Sequence, residues 1–387
     1  MATTIHPNIK IISQDIIDTR RDIHMHPELA FNEHRTSALI ADRLTSYGLS
    51  PKTGVGKTGV IADLHINKST KMVAMRADMD ALPIQETGSF EFKSKNDGIM
   101  HACGHDGHVA MLLGVARALT SDPSKLKNSI RFIFQPAEEG LGGARYMIDD
   151  GALDGIDEIY GSHLWNYQPS GEIGIQSGPV MACADIFTIS ITGSGGHGAT
   201  PHTSNDAIIV ASTLIQSLQT IVSRDTNPLE STVVTIGKIN GGYNFNIIAD
   251  NVELHGTTRA YSQKNRELIK NRMTTIIKGI EKMYSVTISL DYEDGYPPTI
   301  NSELPTEIAL SAAREVVGNN AKPPYLTMGG EDFSYFANEV PGCFFFIGSA
   351  PLNQEPMSTP HHCSHFNIDE NALLIGASTF VRIAESF

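Results

Sequence analysis

The chain has 387 residues, 41% hydrophobic and 19% charged, an ordinary globular composition with apolar mass for two cores, and two domains are the default at this length. A formal net charge of -14 without a clustered basic face speaks against nucleic acid as a partner, and it requires any pocket for an anionic substrate to be locally positive. Met1 to Lys10 lacks the pattern of a secretory signal, no run of about 18 apolar residues marks a membrane span, and the four cysteines (Cys103, Cys183, Cys343, Cys363) show no disulfide-framework spacing, so a reducing, cytoplasmic setting is expected.

Residues 8–48 carry apolar side chains at helical spacing in two stretches broken at His26-Pro27, which predicts two helices. Lys71 to Arg76 and Ile130 to Phe134 are short apolar runs, the first ending in Ala77-Asp78-Met79-Asp80 and the second in Gln135-Pro136-Ala137-Glu138-Glu139. Ile159-Tyr160 leads through Gly161-Ser162 to His163. Runs of this kind suit strands buried on both faces. Val109 to Leu119, between the first two, is apolar nearly all round and reads as a buried helix. Strand, helix, strand implies a parallel α/β sheet with helices packed on it.

From about Ala184 to Asp294 the order is strand (Ile186–Ile191), helix (Asp206–Val222), strand (Thr232–Ile239), strand (Val252–Ala260), helix (Gln263–Met283), strand (Val286–Tyr292). That β-α-β-β-α-β order is the ferredoxin-like sandwich, inserted into the first domain. The tail from Pro305 returns to helix, strand and helix. The expected domains are therefore 1–183 with 295–387, and 184–294.

Ligands of open parallel sheets bind beyond the carboxyl ends of the strands. Three of the expected strands lead into Asp78/Asp80, Glu138/Glu139 and His163, so acidic and imidazole groups collect at one rim. His101-Ala-Cys-Gly-His-Asp-Gly-His108 precedes the buried helix, and His361-His362-Cys363-Ser364-His365 forms a second cluster. Zn²⁺, Co²⁺, Ni²⁺ and Mn²⁺ accept imidazole and carboxylate, and zinc also favours thiolate. Two such ions can polarise an amide carbonyl and acidify a shared water, for which an adjacent carboxylate is the base. Taken singly, a cytosolic Cys is more often a small buried hydrophobe, and a Glu-Glu pair on a turn is more often merely solvated. Their coincidence at strand ends favours a metal site.

The chain resembles the aminoacylase, hippurate hydrolase and auxin-conjugate hydrolase branch of the dinuclear metallopeptidases along essentially its full length. The resemblance is carried by RRDIHMHPELAFNE (Arg20–Glu33), MRADMDALPIQE (Met75–Glu86), MHACGHDGHVAMLLG (Met100–Gly114), FQPAEEG (Phe134–Gly140), Gly161-Ser-His163, GSGGHGATPH (Gly193–His202), MGGEDFSYF (Met328–Phe336) and HHCSHFNIDENAL (His361–Leu373). It implies two divalent ions (Zn, or Mn, Co or Ni) on Cys103, His105, Glu139, His163 and His362, with Glu138 as general base and acid. His101, His108, His361 and His365 fall off the ligand positions and are expected in loop or supporting roles. Distant relatives carry His-x-Asp where this chain has Asp78-Met79-Asp80, so the two aspartates are expected to orient a ligand histidine, and a bridging Cys103 thiolate is implied.

The inserted domain resembles a dimerisation and lid domain, which makes a homodimer or higher homo-oligomer the expected assembly. His197 there is expected to stabilise the oxyanion, and Asn246 and Arg259 to grip the substrate carboxylate. Gly330, in Gly329-Gly330-Glu331-Asp332, is expected to let backbone approach the substrate closely, with Met181, Phe245 and Met328 as pocket candidates. The function implied is hydrolysis of N-acyl amino acids to a carboxylate and a free amino acid. The alternatives are a dipeptidase or carboxypeptidase of the same superfamily, and a non-catalytic small-molecule binder.

Overall fold

The short apolar runs of the sequence become the inner strands of one sheet. The structure, a computed structural model, describes residues 3–67, 69–352 and 354–386. The chain divides into two compact units: Met1–Val180 with Ile300–Leu326 and Asp332–Phe387, and Met181–Thr299 with Thr327–Glu331.

In the first unit an eight-stranded sheet runs Lys52–Val55, Gly59–Leu64, Ser129–Gln135, Met72–Asp78, Glu158–Pro169, Gly342–Ala350, Ile173–Gly174, Ala321–Lys322. Its four central strands, from Ser129–Gln135 to Gly342–Ala350, pair in parallel. Gly342–Ala350 is buried at every residue and Met72–Asp78 at all but the first, as strands covered on both faces must be. The helix His105–Ser121 is buried along nearly its whole length and packs against the helices Ser13–Met25 and Asn371–Glu385. Phe132, Phe134, Leu112, Leu113, Phe345 and Phe380 fill the core around it.

Three details depart from the sequence expectation. The N-terminal pair of helices is three, Pro7–Ile11, Ser13–Met25 and His34–Ser46. The antiparallel pair Lys52–Val55 and Gly59–Leu64 is formed by a glycine-rich stretch with little apolar pattern to announce it. His163 does not end its strand. Pairing with Met72–Asp78 stops at Gly161, but pairing with Gly342–Ala350 continues to Pro169, so His163 lies mid-strand on a segment that has lost one neighbour.

The second unit has a four-stranded antiparallel sheet in the order Thr232–Gly241, Asn251–Ala260, Ala184–Thr192, Thr287–Tyr296. Numbered along the chain the order is 2-3-1-4, the ferredoxin-like arrangement. The helices Ala207–Thr220 and Gln263–Tyr284 share a core with the sheet through Leu214, Leu218, Ile269, Met273, Phe187 and Leu254. Ala207–Asp225, which ends in a π-helical turn, is among the described residues the one helix long and apolar enough to cross a membrane by length and composition. Its Val210, Leu214 and Leu218 are spent on this core. Thr327–Glu331, and Gly330 with it, belongs to this unit.

Candidate metal centre

The site is built in the first unit, where the segment after each central strand is held by buried polar groups. Cys103 and Gly104 lead into the helix His105–Ser121, and Gly104 takes a left-handed φ of 96° as its N-cap, a conformation that favours glycine. Ser129–Gln135 ends in a turn in which Ala137 is left-handed (φ 54°), and the helical turn Glu138–Leu141 is kinked at Glu139 and Gly140. A Cβ on Gly143 would stand 1.7 Å from the Pro136 carbonyl oxygen, so this turn closes only on glycine.

Three groups of donor atoms converge, each with its atoms within 4.8 Å of one another: Cys103, His105 and His163; Cys103, Glu139 and His362; His105, Glu138 and Glu139. Cys103 Sγ lies 3.4 Å from His163 Nε2, and His362 Nε2 lies 3.2 Å from Glu139 Oε1. Cys103, His105, His163 and Glu138 are buried. His362 sits on the open side, its side chain 52% exposed, on a left-handed residue with φ 65°.

Hydrogen bonding separates these histidines by role. His105 Nδ1 donates to the Asp80 carbonyl oxygen at 2.9 Å and His163 Nδ1 to that of Leu164 at 2.7 Å. Each ring then turns its Nε2 toward the cluster, the nitrogen left for a metal once it carries no proton. His108 has neither nitrogen to spare, since Nδ1 donates to Asp78 Oδ1 at 2.5 Å and Nε2 accepts from the Leu164 amide at 2.9 Å. His361 Nε2 accepts from the Asn166 amide at 3.2 Å, and its Nδ1 faces Cys103 Sγ at 3.8 Å. His361 was expected only in a loop or supporting role, and it borders the site. Its ring is enclosed by Trp165, Tyr167 and Phe366.

The two aspartates hold the site from beneath. Asp78 bonds His108 and Arg76 (2.6 Å), and Asp80 accepts the Glu138 and Glu139 amides at 3.0 Å each. Arg76 also reaches Gln135 and Asp332, and Asp332 caps Ala144 N at 3.0 Å. Arg76, Gln135 and Asp332 carry no metal-ligand signal in the sequence, because their part is to neutralise and bond what surrounds the ligands.

The donor set fits divalent cations. His105 Nε2 is buried and makes no hydrogen bond among the described residues, which is costly unless something else satisfies it. Burial opposes a charge on His105, yet Asp78, Asp80 and Glu139 raise its pKa to about 10: the cavity holds more negative charge than the protein neutralises. Burial, then Glu139, Glu138 and Asp78, raise the Cys103 thiol well above the ordinary value. Burial, with His108 and His361 adding to it, keeps His163 neutral. A buried anionic pocket with thiol, imidazole and carboxylate donors is the chemistry that zinc and its neighbours accept.

The remaining expected site residues lie in the second unit. His197, on the two-residue strand Gly196–His197, pairs with Ile247, and the Asn246 carbonyl accepts the Gly198 amide at 2.8 Å, so His197 and Asn246 are brought together. His197 Nδ1 accepts from Ala199 N at 3.0 Å, which places its proton on Nε2. Arg259 is half-buried on Asn251–Ala260 with no ion-pair partner among the described residues. Burial lowers its pKa, and the nearby Asp185 is engaged by Arg266 at 2.5 Å. Gly330 packs on Ala184, whose Cβ would be 2.7 Å from an added Cβ. Met181 is buried, Met328 partly so, and Phe245 is 97% exposed.

Residues 74–386 match the model of the peptidase family M20/M25/M40. The chain belongs to that family. As an M20/M25/M40 member it is a metal-dependent amidohydrolase. It is 41% identical to the N-acetyl-L-cysteine deacetylase of Bacillus subtilis over 374 residues, 97% of this chain and 88% of the relative. It is 40% identical to thermostable carboxypeptidase 2 of Saccharolobus solfataricus over 384 residues, 98% and 97% of the two chains. Among solved structures it is similar to the YXEP protein of Bacillus subtilis, described as a dinuclear metal binding peptidase, with TM-score 0.85 and 33% identity over 97% of this chain and 98% of that one.

Proposed function

We propose that this M20/M25/M40 enzyme hydrolyses N-acyl L-amino acids to a carboxylate and a free amino acid, with two divalent ions held by Cys103, His105, Glu139, His163 and His362. The observation that carries this reading is the pair of donor triads that share Cys103, beside the buried carboxyl of Glu138. Cys103, common to both triads, would be the donor available to both ions. When bound, the ions would polarise the scissile carbonyl and acidify water. Glu138 takes the proton of the attacking water and returns it to the leaving nitrogen as the C–N bond breaks. His197 donates Nε2–H to the oxyanion, and Asn246 and Arg259 bind the substrate carboxylate. Asp80 positions the Glu138 turn and His105, Asp78 positions His108, and Gly330 admits close backbone approach.

The deacetylase relative supports an N-acyl substrate, and the carboxypeptidase relative supports peptides as the second reading. Exposed Ile208 and Ile209 on the second unit (45% and 53%) support assembly into a homodimer or higher homo-oligomer. Four free thiols fit the cytoplasm as its compartment. The test is a screen of acetyl, benzoyl and indole-acetyl amino acids against matched dipeptides, with zinc, manganese, cobalt or nickel restored to stripped protein. Acetyl-Met should be cleaved about tenfold faster than Ala-Met or better. Faster cleavage of the dipeptide would overturn the substrate class.

A further inference from the structure

The segment Ala137-Glu138-Glu139 offers three successive backbone amides, and two buried carboxylates take all three. Asp80 accepts those of Glu138 and Glu139. The Ala137 amide goes to Glu33 Oε1 at 3.0 Å, and Glu33 Oε2 accepts from the Thr58 hydroxyl at 2.6 Å. Glu33 is fully buried. It is the N-cap residue of the helix His34–Ser46 but makes no side-chain cap bond. Glu28 performs that task instead, its two oxygens accepting the Arg35 and Thr36 amides at 2.8 Å each. A carboxylate relieved of capping, buried and aimed at a non-glycine residue with φ 54° is placed to hold a conformation the chain would not keep unaided.

We propose that Glu33 is a positioning residue of the hydrolytic reaction: by fixing the left-handed Ala137 it sets where the Glu138 carboxylate points. The proposal rests on Glu138 being the general base. A displacement of the base by about 1 Å costs on the order of 100-fold in rate, so the anchor should act on kcat.

The test compares Glu33→Leu with Glu33→Gln. Glutamine can still accept the Ala137 amide through Oε1 and donate Nε2–H to the Thr58 hydroxyl. In the metal-free protein, amide exchange over residues 137–139 should be slow in the wild type and in Glu33→Gln and faster by about tenfold or more in Glu33→Leu. With metal restored to full occupancy, Glu33→Leu should lose about 10- to 100-fold in kcat at a KM within about twofold, while Glu33→Gln keeps most of the activity. If Glu33→Leu does not fold, Glu33→Asp, one methylene too short to reach both partners, is read in its place. Unchanged exchange at 137–139, or kcat unchanged in a folded Leu or Asp variant, overturns the proposal. A turn loosened in Glu33→Leu alongside a fully active Glu138→Gln would instead overturn the role of Glu138, so the two failures are distinguishable.

Discussion

At the scale of single residues, the sharpest expectation concerns Glu138. Replacing its carboxylate by an amide leaves the backbone-amide contact to Asp80 intact and removes only the proposed base. Glu138→Gln should therefore keep its metal content by atomic absorption and lose about 10²- to 10⁴-fold in kcat; near-normal turnover would strip Glu138 of the role. Arg259 is half-buried without a carboxylate partner among the described residues, and in its proposed role it would give the substrate carboxylate a charge-assisted bond of roughly 1.5–3 kcal/mol. Arg259→Met should raise KM by about 10- to 100-fold for N-acyl amino acids and make no difference for substrates whose carboxylate is replaced by a carboxamide; equal effects on both would remove the assignment. The residues proposed as donors stand out in the sequence, Glu139 just past a strand and Cys103 and His105 in a dense motif ahead of a buried helix, and the structure brings their side chains together. What the string could not tell is which histidines have a lone pair to give. His108 and His361 fall off the ligand positions of the resemblance, and the physical reason appears only in their bonds to Asp78, Leu164 and Asn166, which engage both nitrogens of the first and Nε2 of the second.

Among elements, the helix His105–Ser121 is anchored at its first turn by a buried ionic cluster. Asp106 accepts from Arg20 Nε at 2.7 Å and from His24 Nδ1 at 2.8 Å, and Arg20, His24 and Asp106 are inaccessible to solvent. Burial opposes the charge on Asp106, but Arg20 and His24 hold its carboxyl well below the usual range. The folded state thus binds fewer protons than the unfolded one, so the stability Asp106 confers is fully present above about pH 4 and is lost as pH falls toward the depressed folded value. Asp106→Asn leaves the buried Arg20 guanidinium only the longer contact to Glu370, 3.3 Å from Nη1, and should cost about 3 kcal/mol in denaturant unfolding at pH 7, with the gap to wild type closing in acid; a gap that stays constant with pH would show that packing, not charge, makes the contribution. The element types were legible from periodicity, since inner strands and the buried helix have unmistakable apolar runs. The continuation of His163's strand to Pro169 was not, because it depends on a partner, Gly342–Ala350, that arrives from the far end of the chain. Glu33 was hidden for a similar reason: it lies in a matched motif, but its partner Ala137 is 104 residues away.

For the molecule as a whole, composition foresaw two cores, and each unit has its own. The ferredoxin-like order of the second unit could be read from the alternation of its elements. The short tie Thr327–Glu331 could not, since nothing in its composition separates it from its neighbours and its place is decided by packing on residues such as Ala184. The chain carries a single tryptophan, and Trp165 stands two positions beyond His163 on the same strand, its ring centre 5.3 Å from that imidazole. The protein is thus born with an optical reporter beside the candidate metal centre. Intrinsic emission should dim as cobalt fills the stripped protein and brighten again on chelation, and full loading with an unaltered spectrum would mean that the ions settle away from His163.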